Sequence, residues 1–146
     1  MSIDIERPRE AVFAFFDDPD NMEKCVPMLV DHGFIEEKPE KVGTTFWHEY
    51  EEKGRRFKMT GVVTEYDAPT RMAIEMDGPA FGLKVAYDFE ELGPDSTRLT
   101  QHSESSFKHV FKLIGLFFGK KMQCEGEKVQ RENFERMKRY LEEPEA

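Results

Sequence analysis

The sequence is short of several things, and each shortage removes a class of protein. Of its 146 residues only two are cysteines, Cys25 and Cys124, far apart and outside any Cys-x-x-Cys pair. Neither a disulfide framework nor a zinc site has support, and a reducing cytoplasm is the default setting. Cations are also outnumbered: 21 Lys and Arg against 30 Asp and Glu leave a formal net charge of −9. That balance opposes nucleic-acid backbones and anionic membrane surfaces, and the runs Arg55-Arg56 and Lys120-Lys121 read as solvated faces. The opening Met1-Ser2-Ile3-Asp4-Ile5-Glu6 has neither the basic nor the apolar region of a secretory signal.

No long hydrophobic run exists either. The most apolar stretch is HVFKLIGLFFGKKM, His109 to Met122, whose uncharged core from Leu113 to Gly119 has seven residues. A membrane-spanning helix needs roughly 20. Nor is the stretch a phosphate loop: Gly115 and Gly119 enclose three residues, not four, and Lys121 follows Lys120 where Ser or Thr belongs. Two readings of it remain, a core helix or a wall of a binding cavity.

What is present describes a soluble globular chain, 38% hydrophobic and 35% charged, long enough to bury a core as a single domain over 1–146. Thirteen Phe and eight Met supply bulky, adaptable apolar volume. After a short strand at Ile3-Asp4-Ile5, Pro8 opens a helix with Val12, Phe13 and Phe16 on one face. Asp17-Asp18-Pro19 stops it, and Asp18 caps a second short helix ending before Pro27.

From Leu29 to Ser105 the pattern changes to strands. Lys38-Pro39-Glu40, Lys53-Gly54, Asp67-Ala68-Pro69, Asp77-Gly78-Pro79 and Gly93-Pro94-Asp95 are turns, and five turns imply six strands. Alternation assigns one buried face to Phe46, His48 and Tyr50; Phe57, Met59, Gly61 and Val63; Met72, Ile74 and Met76; Leu83, Val85, Tyr87 and Phe89; and Leu99, Gln101 and Ser103. Such strands make an antiparallel sheet covered on one face. The remaining cover is a C-terminal helix from Met122 to Glu142, with Val129, Phe134, Met137 and Leu141 on its apolar side.

This α+β order, β-α-α-β6-α with about seven strands, resembles the helix-grip fold of the START/SRPBCC superfamily, which includes polyketide cyclase/dehydrase-like proteins and plant pathogenesis-related allergens. The resemblance is carried by Ile5-Glu6-Arg7-Pro8-Arg9-Glu10-Ala11-Val12-Phe13 with Asp18-Pro19, by Val42-Gly43-Thr44-Thr45-Phe46, by Gly61-Val62-Val63-Thr64-Glu65-Tyr66, by Thr97-Arg98-Leu99-Thr100, and by Phe134-Glu135-Arg136-Met137-Lys138-Arg139-Tyr140-Leu141-Glu142. It implies a curved sheet gripping the last helix, with a cavity for lipids, sterols or aromatic polyketides between them. It brings no family-wide catalytic motif, and members range from carriers to cyclases, dehydratases and partner-binding proteins.

The histidines, at positions 32, 48, 102 and 109, form no ligand pair at helical or strand spacing, so no metal is expected, and no cofactor motif appears. His48 is the informative one. Sharing a row with Phe46 and Tyr50 it points inward, where it serves either as a general base or as a hydrogen-bonded structural residue. Tyr50, Tyr87, Gln101 and Ser103 place polar atoms on an otherwise apolar face, either as sparse cavity groups or as residues reaching a solvated strand end. The phase of His32 is not set by its neighbours. Glu49, Glu51, Glu52, Glu90 and Glu91 suit solvated strand faces, and neither cysteine has an activating base.

Met59, Met72 and Met76, with Val63, Ile74, Leu83 and Val85, form either plain core or a cavity wall; the resemblance favours the wall. A straight helix over the 35 residues from Lys108 to Glu142 would extend about 50 Å. A compact domain of this size is roughly 35–40 Å across. Gly115 and Gly119 therefore predict a bend or break between His109 and Met122, with the long helix starting near Gly119. Val110, Phe111, Ile114, Phe117 and Phe118 would then fold over the cavity mouth as a mobile lid. The leading expectation is a cytoplasmic protein binding a hydrophobic or amphipathic small molecule, with no nucleic-acid partner, no membrane span, and a homodimer compatible with the sequence. The alternatives are a cyclase or dehydratase using the same cavity, and a module that binds a protein partner.

Overall fold

The computed structural model describes residues 1–79, 81–107 and 111–143, with the side chains of 107–125 outside the description. Strand β1 (Ser2–Ile5) leads into helices α1 (Arg9–Asp17) and α2 (Pro19–Cys25). The carbonyl of Pro8 accepts from the amides of Ala11 and Val12 at the start of α1. Val12, Phe13 and Phe16 are its buried residues, at helical spacing. Asp18 caps α2 as its residue type predicts, its Oδ1 accepting from the Asp20 amide at 3.0 Å, with Pro19 in the first turn.

Six further strands follow: β2 (Leu29–Glu36), β3 (Thr45–Glu52), β4 (Arg55–Asp67), β5 (Arg71–Asp77), β6 (Phe81–Gly93) and β7 (Ser96–Phe107). All pairings are antiparallel, and the seven strands form one curved sheet in the order β1-β7-β6-β5-β4-β3-β2. Every turn falls where the turn residues predict. The β3–β4 connection is the two-residue hairpin expected of Lys53-Gly54, both residues having positive φ (52° and 78°), which matches strand twist. The short β1 pairs with β7 along its whole length, from Ser2 opposite Thr100 to Ile5 opposite Thr97.

Helix α3 (Phe111–Glu142) closes the fold, and the expectation of a start near Gly119 is corrected here: helical structure runs unbroken for 32 residues. Two glycines, each costing about 1 kcal/mol relative to Ala, do not interrupt a helix whose neighbouring Leu, Lys and Met residues favour it. The side chains of Phe111, Ile114, Phe117 and Phe118, and all of Val110, lie outside the described residues. The C-terminal end of α3 is fastened to β1: Lys138 Nζ donates to the Asp4 carbonyl at 2.6 Å, and Glu142 Oε2 accepts from the Glu6 amide at 2.7 Å. No helix among the described residues is long and apolar enough to cross a membrane.

The closed core occupies one end of the grip. Ile5, Val12, Phe13, Phe16, Cys25, Phe89, Leu99, Phe134, Met137 and Leu141 form its buried cluster. Val129 corrects the predicted helix stripe: it is 39% exposed and borders the cavity, while Asn133 is buried beside Phe134. Away from that cluster the inward side chains of β3 to β6 border a cavity.

Candidate functional site

That cavity, of about 2100 Å³ between sheet and helix, is larger than the roughly 300–1,000 Å³ of most small-molecule sites. Strand register brings the predicted wall together. His48 stands opposite Met59 and Tyr50 opposite Phe57 on β3–β4, and Val63 opposite Ile74 on β4–β5. Met72, Ile74 and Met76 face Tyr87, Val85 and Leu83 on β6, while Val85 and Tyr87 face Ser103 and Gln101 on β7. All of these predicted residues border the cavity. Many are only half-buried although they point inward.

An aromatic strip runs along β3. The Phe46 and His48 rings lie 5.0 Å apart, His48 and Tyr50 5.8 Å, and Tyr50 stacks on Phe57 at 5.4 Å. Gly61 makes room for it: a Cβ there would lie 2.4 Å from Cζ of Phe46, so the ring rests directly on the β4 backbone.

Within the strip, His48 Nδ1 lies 3.0 Å from the Tyr50 hydroxyl. Burial pushes the imidazole down to about 4, with His32 adding to the effect, and pushes the Tyr50 phenol up to about 12. Both groups are therefore neutral at physiological pH. With the imidazole proton on Nε2, the phenol donates to Nδ1; with the proton on Nδ1, the ring donates to the phenol oxygen and Nε2 becomes an acceptor. In the first arrangement Nε2–H is left outside the pair as a donor, and in the second Nε2 as an acceptor with the phenol O–H as a donor. Burial also raises the Tyr87 phenol, and Tyr50 contributes to the shift, which brings the two phenols into one electrostatic neighbourhood. Gln101 is engaged elsewhere, its Oε1 accepting from Gln130 on α3.

Three groups escaped the sequence pattern. His32 points inward opposite His48, but bulges on both sides of it, between Leu29 and Asp31 and between Phe34 and Glu36, remove the alternation that would have shown this. Its Nε2 lies 3.0 Å from Asp20 Oδ1 and its Nδ1 3.2 Å from Glu23 Oε2, so α2 clasps the ring from two sides. Tyr66 borders the cavity because a bulge between Val63 and Glu65 reverses the phase of β4. Its hydroxyl donates to Asp17 Oδ2 at 2.8 Å, and burial, together with that hydrogen bond and the Asp17 charge, pushes the phenol up to about 12. Gln130 carried no signal beyond a polar residue on a helix. Cys25, the last residue of α2, is buried, and burial pushes its thiol up to about 11, as befits an unreactive thiol. Among the described residues, no cluster of His, Cys, Asp or Glu has a metal-holding geometry.

Comparison with solved structures places the fold. The Zhui aromatase/cyclase from a Streptomyces species superposes with a TM-score of 0.80 at 12% identity, over 97% of this chain and 91% of that one. A Thermus thermophilus protein gives 0.79 at 12% identity, over 100% and 97%. A START superfamily protein from Mycobacterium smegmatis gives 0.66 at 15% identity, over 90% and 95%. At these identities the likeness is one of fold alone. No curated protein matches the chain in sequence. The family model described as polyketide cyclase / dehydrase and lipid transport matches residues 1–142, so the chain belongs to that family.

Proposed function

We propose that the protein binds an apolar or amphipathic small molecule, lipid-like, sterol-like or aromatic, in the cavity between its sheet and α3. One observation carries the reading: the inward rows of the sheet, made of Met, Val, Ile, Leu and aromatic side chains with a few uncharged polar groups, border a cavity of about 2100 Å³. Sites for such ligands combine greasy walls with sparse polar groups, and methionines on neighbouring strands adapt to ligand shape. The family description, which spans cyclase/dehydrase chemistry and lipid transport, agrees with it. A partner-binding module is the weaker reading, since it would favour a cavity filled by side chains. Native mass spectrometry of the purified protein tests the proposal: a co-purifying or added apolar compound should appear at one equivalent. Displacement by a bulky residue at Ile74, on the cavity wall, should abolish it.

A second reading rests on the His48–Tyr50 pair. A neutral imidazole held by a neutral phenol inside an apolar cavity suits proton transfer to or from a ketone or enol, as a cyclase or dehydratase requires. Holding a flexible substrate in one geometry would supply much of the rate. In this reading His48→Ala abolishes turnover of a poly-β-keto substrate while leaving its binding intact; equal turnover by the variant would remove His48 from the chemistry.

A further inference from the structure

The inward rows of the sheet carry polarity without charge. From Phe46 to Tyr50, Phe57 to Val63, Met72 to Met76, Leu83 to Phe89 and Leu99 to Ser105, no Asp, Glu, Lys or Arg occupies an inward position. The polar atoms there belong to imidazole, phenol, amide and hydroxyl groups. Two pairs are satisfied internally, His48 with Tyr50 and Gln101 with Gln130. Among the described residues the Tyr87 hydroxyl has no hydrogen-bond partner, so it remains available to a ligand oxygen.

His32, opposite His48 on the neighbouring β2, has the carboxylates of Asp20 and Glu23 standing against both of its nitrogens. Fixed charges border the cavity at its margins: Glu52 and Lys53 at the β3–β4 turn, Glu37 and Lys41 between β2 and β3, and Lys128 and Arg131 among the glutamates of α3. Among the described residues bordering the cavity, six carboxylates face four Lys or Arg side chains. Among the described residues, a carboxylate drawn against the inward rows of β3 to β7 would thus lose its hydration without gaining a Lys or Arg counter-ion there, and one left at the margin would meet more carboxylates than Lys or Arg side chains. A ketone, phenol or alcohol loses far less and regains a hydrogen bond from the wall.

Building on the cavity-binding proposal, we infer that the site selects molecules whose polar groups are uncharged, such as ketones, phenols or alcohols on an apolar frame, and discriminates against carboxylate-headed chains of the same size. The test uses a matched pair of probes differing only in the head, pyrene-decanol and pyrene-decanoic acid, titrated by fluorescence near neutral pH. The alcohol should bind about tenfold tighter or more. Ile74→Trp, which puts an indole into the cavity, should weaken both probes together. Equal or tighter binding of the acid overturns the inference while leaving cavity binding in place. Failure of both probes to bind, or binding unaffected by Ile74→Trp, overturns the cavity-binding reading as well.

Discussion

His48 Nδ1 and the Tyr50 hydroxyl lie 3.0 Å apart, two residues along one strand and on its cavity side, with both groups neutral. Such a pair is sensitive to acid. The folded-state value of His48, about 4, is below its ordinary 6.5, so the folded chain refuses a proton that the unfolded chain accepts. Stability should therefore fall as pH drops from about 6.5 to about 4 and level off below, a loss of at most about 3 kcal/mol from this group. Urea unfolding across that window checks it: His48→Asn should flatten the decline, and parallel curves for the two proteins would mean that the ring is not held neutral.

Gly61 and Phe46 give a second expectation. A methyl on Gly61 would overlap the Phe46 ring, whose far end must swing away from the β4 backbone into the cavity. Gly61→Ala is expected to cost about 1 kcal/mol or less in stability, because the ring has open space to move into. Its larger effect should be on ligand affinity. A loss of stability with unchanged affinity for an apolar probe would show that the strip does not form the binding wall.

The two ends of the grip should respond differently to truncation. Phe134, 1% exposed within the closed core, should cost about 3–5 kcal/mol on change to Ala. Val129 borders the cavity at 39% exposure, and Val129→Ala should cost under about 1 kcal/mol. Thermal melts of the two variants decide; similar losses would mean that the cavity end is as tightly packed as the core end.

The clasp of Asp20 and Glu23 on His32 ties α2 to the edge strand β2. Both carboxylates are well exposed, so Asp20→Asn with Glu23→Gln should lower global stability by no more than about 1 kcal/mol. The local effect should be clearer: amide exchange in α2 should quicken while α1, packed into the core through Phe13 and Phe16, keeps its protection. Unchanged exchange in α2 would mean that burial of Cys25, not the clasp, holds that helix.

Local patterns determined most of the architecture. Pro8, Asp18 and Pro19 placed the first two helices, five turn signals separated six strands, and strict alternation aimed His48, Tyr50, Met59, Ile74, Val85 and Tyr87 at one space. These features are local because backbone geometry repeats every two residues in a strand and dihedral preferences act over three or four. Tertiary structure decided the rest. Bulges in β2 and β4 reversed the phase that would have revealed His32 and Tyr66, since an extra residue is tolerated only where the partner strand permits it. The unbroken helix from Phe111 and the exposed Val129 were likewise beyond local rules. Whether an apolar inward row becomes core or cavity wall depends on how closely the opposite element approaches: Phe134 and Met137 of α3 pack into the closed core, while Phe46, His48 and Tyr50 border the cavity.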